Sequence, residues 1–301
     1  MGNKEKARKV FSRLGLAGMT FVIFSILVSV TVSVMMAASM ILNLPSPSMD
    51  LCMTGVNALI YGVGGLLFWL IMRDLPVCRQ EEPEAFGPAK MGAAFVICLA
   101  AMYIGNFIGL GLMNLAQFIF GVQTVNPVEE MVHNMDMGSL FLTTVVMAPI
   151  GEEILYRRIL LNRVRQYGDK TAILASGLVF GLSHGNFYQF FFAFALGAIF
   201  AYIYLRTGKV RYTIILHGII NFIGSVLALQ IAESQLLTAV YGGVILGVLV
   251  LGPCLFFALR PKFVFALGRT PVPAGSRLKV LLWNPGMVLF FLTSMILFLM
   301  G

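Results

Sequence analysis

An all-α, polytopic membrane bundle of about eight or nine spanning helices is the fold class this sequence predicts. Three observations carry it. Of 301 residues, 59% are hydrophobic and only 11% charged, with a mean hydropathy of +0.90, too little polar surface to cover a water-soluble domain of this size. Nine apolar stretches, roughly 15–42, 51–72, 91–120, 139–161, 171–186, 187–205, 212–231, 236–259 and 280–300, are separated by polar punctuation. Most reach the ~17–25 residues that a spanning helix needs. Finally, all 21 lysines and arginines fall on the same side, in alternate connections or at the run end that borders one, the signature of cytoplasmic loops.

The stretches can be justified in order. A tail with Lys4, Lys6, Arg8, Lys9 and Arg13 precedes the first run. That run is too long for a signal-peptide core and lacks a cleavage site, so it reads as an uncleaved anchor. Met1-Gly2 opens like a myristoylation signal, but Lys6 stands where Ser or Thr is required. The second and third runs flank a loop with Arg73, Arg79 and Lys90; glycines 62, 65, 105, 109 and 111 suit close helix approach. Arg157, Arg158, Arg163, Arg165 and Lys170 close the fourth run. The fifth run is short, which leaves it open to being half-length or broken. Arg206, Lys209 and Arg211 follow the sixth; Arg260, Lys262, Arg269, Arg277 and Lys279 follow the eighth; Asn284-Pro285 interrupts the ninth. The opposite connections (43–50, 121–138, the turn near Asn186, and 232–235) hold no Lys or Arg. The expected N-terminus is therefore cytoplasmic and the C-terminus external. Cysteines 52, 78, 98 and 254 lack metal or disulfide spacing and read as packing residues. With no repeat and no soluble segment, the chain reads as one membrane domain, 1–301. The formal charge of +8 reflects membrane orientation, so lipid and not nucleic acid is the expected partner.

Polar residues inside the spans carry the chemistry. Glu152 and Glu153 sit within the fourth run, where a charged carboxylate costs at least ~2.5 kcal/mol and needs a partner. Helical spacing puts Glu153 on one face with Arg157, while Glu152 points about 100 degrees away. One carboxylate is thus placed for an ion pair and the other for chemistry. Snorkelling acids neutralised by Arg157 and Arg158 are the plain structural alternative. Pro149 is placed to kink this helix. Phe180 and His184 lie in the fifth run, and His217 and Asn221, four residues apart, share a face of the seventh. Either histidine alone reads equally well as interhelical packing. Three such intrusions on neighbouring helices point to a buried centre. At ~1.5 Å per residue, Glu152 lies some 8 Å from Arg157 and His217 about 9 Å from Arg211, at matching depth. His184 comes out near 20 Å from Lys170 by the same rise, so its helix must tilt, start late or break.

The ordered set Glu-Glu-x-x-x-Arg, Phe-x-x-x-His and His-x-x-x-Asn, from Glu152 to Asn221, resembles the CPBP family of intramembrane proteases, which includes type II CAAX prenyl endopeptidases and bacterial Abi-type proteins. The resemblance implies an intramembrane endopeptidase of a bacterial plasma membrane, with core helices 139–231 and a site facing the cytoplasm. Glu152 would be the base that activates water, assisted by His184. His217 and Asn221 would stabilise the oxyanion, and Glu153, Arg157 and Phe180 would give support. The implied substrate is a membrane-associated peptide or protein, prenylated or a leader peptide. Glu152, His184 and His217 number enough to ligate a catalytic zinc, but the His-Glu-x-x-His spacing is absent, so no metal is the preferred expectation. A catalytically silent scaffold or immunity protein of the same fold, and a small proton-coupled transporter, are the alternatives.

Overall fold

The computed structural model describes residues 3–80, 82–121, 126, 129 and 134–300, and all regular structure among them is helical. Seven helices are long and apolar enough to cross a membrane. They are α1 (Asn3–Ile41), α2 (Met49–Met72), α3 (Pro88–Phe120), α4 (Met137–Tyr167), α6 (Phe187–Thr207), α7 (Val210–Ala232) and α8 (Gln235–Lys262). Between α4 and α6 lies the shorter α5 (Asp169–Ser183). A bent pair, α9 (Ala274–Leu282) and α10 (Pro285–Leu299), forms an eighth crossing if counted as one span. The chain is an integral membrane helix bundle. Met1-Gly2 and Gly301, on which the acylation and C-terminal expectations fall, lie outside the described residues.

Two of the nine apolar stretches depart from simple spans, each for a local reason. The stretch 171–186 yields a 15-residue helix of about 22 Å, short of the ~30 Å hydrocarbon layer. It stops because Gly185 turns left-handed at φ 67°, and Asn186 then starts α6 by accepting the Gln189 N–H at 2.9 Å. His184 therefore occupies the turn of a helical hairpin, and not the interior of a span. The last stretch bends by 66° at Asn284, whose side chain donates to Leu281 O at 2.7 Å and accepts from Met287 N at 3.0 Å. Pro285 then opens α10, where its missing N–H costs nothing.

The first helix begins earlier than its apolar run, through the basic tail. Cations there find main-chain acceptors: Arg8 Nη2 donates to Trp283 O at 2.6 Å, and Arg13 Nε donates to Ile71 O at 3.0 Å. Both carbonyls lie at helix C-terminal ends, where cations are favoured. Elsewhere side-chain caps set the starts. Ser48 precedes α2, Asp136 precedes α4 by accepting from Gly138 N at 2.8 Å, and Ser234 precedes α8.

Packing places α6 centrally, against α5 on one side and α3 on the other, while α4 pairs with α7 and α1 packs on α2 and α10. One apolar cluster joins α1, α2, α4, α5 and α6 with the α9–α10 pair; a second joins α3, α6 and α7 with α8. Close approach at the α5–α6 crossing depends on glycine. A Cβ on Gly197 would lie 3.1 Å from Gly177 Cα and 3.0 Å from the Phe180 ring, so this crossing is what seats Phe180.

Candidate active site

Three helices that hold the polar residues are widened by turns in which hydrogen bonds skip five residues. These occur at Ile60–Gly64 in α2, Phe141–Met147 and Ile154–Leu161 in α4, and Ile223–Leu227 in α7. Such turns redirect side chains and cluster at functional sites. Glu152 and Glu153 sit between the two widened parts of α4.

Glu153 and Arg157 form the buried foundation, both with 0% side-chain exposure. Arg157 Nε donates to Glu153 Oε2 at 2.9 Å and Nη2 to Oε1 at 3.2 Å, while Nη1 donates to Ser176 Oγ at 2.7 Å. The guanidinium also lies 5.0 Å from the Phe180 ring centroid and 5.7 Å from that of Phe200, a favourable cation–π position. Every face of this cation is used, as burial in a low-dielectric interior demands.

His217 rests on that foundation. Its Nδ1 lies 3.2 Å from Glu153 Oε1; an ionised carboxylate only accepts, so Nδ1 carries the hydrogen and Nε2 is left for chemistry. Nε2 faces Glu152 Oε2 at 3.7 Å. Two bare acceptors in this arrangement require a proton, or a bridging water's hydrogen, between them. Glu152 is half-buried with 15% side-chain exposure, and its Oε1 accepts the Tyr61 hydroxyl at 2.7 Å. Tyr61 can reach it because Gly151 has no side chain: a Cβ there would fall on the tyrosine ring.

His184 has the same internal logic. Its Nδ1 is 2.8 Å from Phe180 O; a carbonyl only accepts, so Nε2 again carries the free lone pair. The Phe180 ring lies between the histidines, with centroid distances of 5.0 Å to His184 and 5.8 Å to His217. Neighbouring Ser183 bonds back to Val179 O.

Asn221 is committed more than its sequence position suggests. Its Nδ2 donates to Thr144 O at 2.8 Å. The reason lies in α4, where Ala148 N bonds Thr143 O and the next bond in register, from position 149 to Thr144, is missing because Pro149 has no N–H. Asn221 supplies the absent donor, so its second amide hydrogen is the one left to face a ligand. Ser225 Oγ accompanies the pair, 3.3 Å from Thr144 Oγ1 and 2.6 Å from Asn221 O.

Thus Glu153, Arg157, Phe180, His184 and His217 are joined by hydrogen bonds or ring contacts, Glu152 approaches His217 Nε2 at 3.7 Å, and Asn221 lies one turn beyond His217 on α7, tied to α4. The three donors named for zinc are not gathered as ligands: among the described residues, no three of His, Cys, Asp and Glu are placed to hold a metal ion. His217 Nδ1 is engaged by Glu153, so Nε2 is its free donor to a metal. Tyr61, Ser176 and Phe200 are site residues that sequence reasoning missed. For Tyr61 the available signal was a hydroxyl next to glycine in an apolar run; nothing in the sequence announced its partner.

Residues 136–223 match the family model described as Type II CAAX prenyl endopeptidase Rce1-like, a segment that holds every site residue except Tyr61 and Ser225. A Bacillus subtilis (strain 168) protein named "Putative membrane peptidase YdiL" is 22% identical over 177 residues, covering 56% of this chain and 68% of that protein. No solved structure matches the chain.

Proposed function

The chain belongs to the CPBP family of membrane peptidases, and from that premise we propose that it hydrolyses a peptide bond of a membrane-associated or lipidated substrate with water activated by Glu152. The observation that carries this reading is the contrast between the two glutamates. Glu153 is saturated by Arg157 and His217, whereas Glu152 keeps Oε2 free beside an imidazole nitrogen at 3.7 Å.

In this reading Glu152 takes a proton from water as the water oxygen attacks the substrate carbonyl carbon, with His184 Nε2 helping to hold the water. The proton passes to His217 Nε2, whose positive charge is favoured by Glu153 at Nδ1. Nε2–H then becomes a donor to the tetrahedral oxyanion, together with the remaining amide hydrogen of Asn221. Collapse breaks the C–N bond and returns the proton to the leaving amine. In this reading no step is routed through a metal.

Access for a membrane-borne substrate is supported by an apolar groove of about 360 Å³ between α4 and α7. Phe141, Val145 and Ile150 form one wall, and Ile215, Ile219 and Phe222 the other. These are the two helices that carry Glu152 and His217. By the positive-inside rule the basic end of the bundle is cytoplasmic, and a site facing that side is part of this proposal.

Membranes from cells carrying wild-type protein should be compared by proteomics with membranes carrying Glu152→Gln. The expected result is one or more membrane peptides or proteins found shortened only with wild type. Identical peptide profiles from equally abundant proteins would instead favour a silent scaffold.

A further inference from the structure

The connection from α8 to α9 is built as a strap across the turn that joins α4 to α5. Asp169 N donates to Ala266 O at 2.9 Å, Thr270 N to Gln166 O at 2.9 Å and Val272 N to Tyr167 O at 3.2 Å, while Ala266 N donates to Asp169 Oδ2 at 2.8 Å. Two left-handed glycines let the backbones meet, Gly168 at φ 98° and Gly268 at φ 83°. A Cβ would lie 2.6 Å from Leu267 O on the first and 2.5 Å from Gln166 O on the second. Strap and turn border a cavity of about 400 Å³, within the size range of small-ligand sites.

The lining of this cavity contains two cations, Lys170 and Arg277, and no Asp or Glu. Among the described residues neither cation forms a salt bridge. The adjacent carboxylate, Asp169, is buried and committed to Ala266 N. Lys170 Nζ stands 5.1 Å from the centroid of the Phe265 ring on the strap. Arg277 Nε is buried without a hydrogen-bond partner, a state in which few buried donors are left because their desolvation is then uncompensated. Two cations from different elements and an unanswered N–H in one cavity call for an anion.

The surroundings identify its source. From Arg260 to Lys279 the chain has five cations and no acid, yet Phe265, Leu267, Leu278 and Trp283 in and beside this segment are exposed. Exposed apolar side chains among cations are the pattern of a segment lying in the headgroup layer, a depth that tryptophan favours. Against a spanning α10, the 66° bend lays α9 towards the membrane plane. By the positive-inside rule this is the cytoplasmic leaflet, whose anionic lipids attract such segments. A soluble phosphate would gain nothing from the apolar rim.

We propose that this cavity binds the phosphodiester headgroup of an anionic phospholipid. Lys170 and Arg277 contact the phosphate, and Phe265 and Leu267 take the glycerol and the first acyl carbons. The lipid ties α9 to the start of α5 and so braces the hairpin that carries His184.

Full-length protein is delipidated in neutral detergent and titrated with phosphatidylglycerol or phosphatidylcholine of identical acyl chains, and bound lipid is counted by native mass spectrometry. One phosphatidylglycerol per chain should be retained at a concentration about tenfold below that for phosphatidylcholine, and added salt should narrow the gap. Its binding should slow hydrogen exchange at the amides of Asp169, Thr270 and Val272, which cross between strap and turn. Lys170→Gln with Arg277→Gln should remove both preference and protection. Lys170→Gln alone, at an exposed position, keeps the fold and should already lose about threefold in affinity for phosphatidylglycerol. Lys4→Gln with Lys6→Gln deletes the same charge from the exposed tail and should preserve both signals. Equal binding of the two lipids overturns the proposal, as does a preference lost equally in the two charge-matched double variants, or protection confined to other segments. Displacement of phosphatidylglycerol by an equal concentration of inorganic phosphate reassigns the cavity to a soluble anion and also overturns it.

Discussion

Glu152 and Glu153 are adjacent in sequence yet have opposite surroundings, and a substitution at each should read out differently. Glu153→Gln or Arg157→Leu removes one member of a pair with 0% side-chain exposure and strands the other charge. The expected loss is about 3–5 kcal/mol of stability, measured as a lower thermal midpoint and yield in detergent. Tyr61→Phe removes one hydrogen bond to Glu152 while keeping the ring against Gly151. It should leave the thermal midpoint within a few degrees and lower kcat about tenfold, in line with ~1.5 kcal/mol for a bond to a charged group. A thermal midpoint that falls with Tyr61→Phe while kcat holds would make this tyrosine a packing residue. The glutamate–arginine pair was legible in sequence because four-residue spacing dictates a shared helix face. Tyr61 was not, because its partner is 91 positions away and contact across helices leaves no mark on local spacing.

Among elements, the irregular turn in α4 is the decisive feature, and Pro149 leaves one of its carbonyls without a main-chain donor. Thr144 O accepts from Asn221 Nδ2 in place of the N–H that proline lacks. Asn221→Ala should therefore have two effects: a stability loss of about 1–3 kcal/mol from the unpaired carbonyl, and a kcat loss of about 10²–10³ if the second amide hydrogen serves the oxyanion. In a Pro149→Ala background the residue at 149 can bond Thr144 itself. The stability cost of Asn221→Ala should then shrink by about 1 kcal/mol in a double-mutant cycle of denaturation midpoints, while the kcat cost persists. Strict additivity of the stabilities would show that proline and asparagine are not linked through that carbonyl. The sequence signalled a kink at Pro149, but not that Asn221 would repair it. The fifth apolar stretch was likewise ambiguous. Hydropathy measures apolar length, and Gly185-Asn186 end α5 through backbone geometry that hydropathy does not weigh.

At the scale of the molecule, the fold class was the most legible feature, since composition and the alternation of basic loops constrain every span together. Helix count was less so: seven long helices, or eight with the bent pair, emerge from nine apolar stretches because α5 is too short. Reporters fused after Arg163, Arg206 and Lys279 should all read cytoplasmic. An external reading at Arg206 would separate the ends of α4 and α6 and break the site's common orientation.

The central claim is that Glu152 supplies the chemistry on a foundation laid by Glu153 and Arg157. It is tested most directly by the turnover of purified Glu152→Gln, in nanodiscs with strong chelator present, on a substrate identified from wild-type membranes. The account expects wild type to keep cleaving in chelator, and Glu152→Gln to lose cleavage at least a thousandfold with an unchanged thermal midpoint. Cleavage by Glu152→Gln within a few fold of wild type would contradict it. So would wild-type activity lost to chelator and restored by zinc, which would replace carboxylate-activated water with metal-activated water.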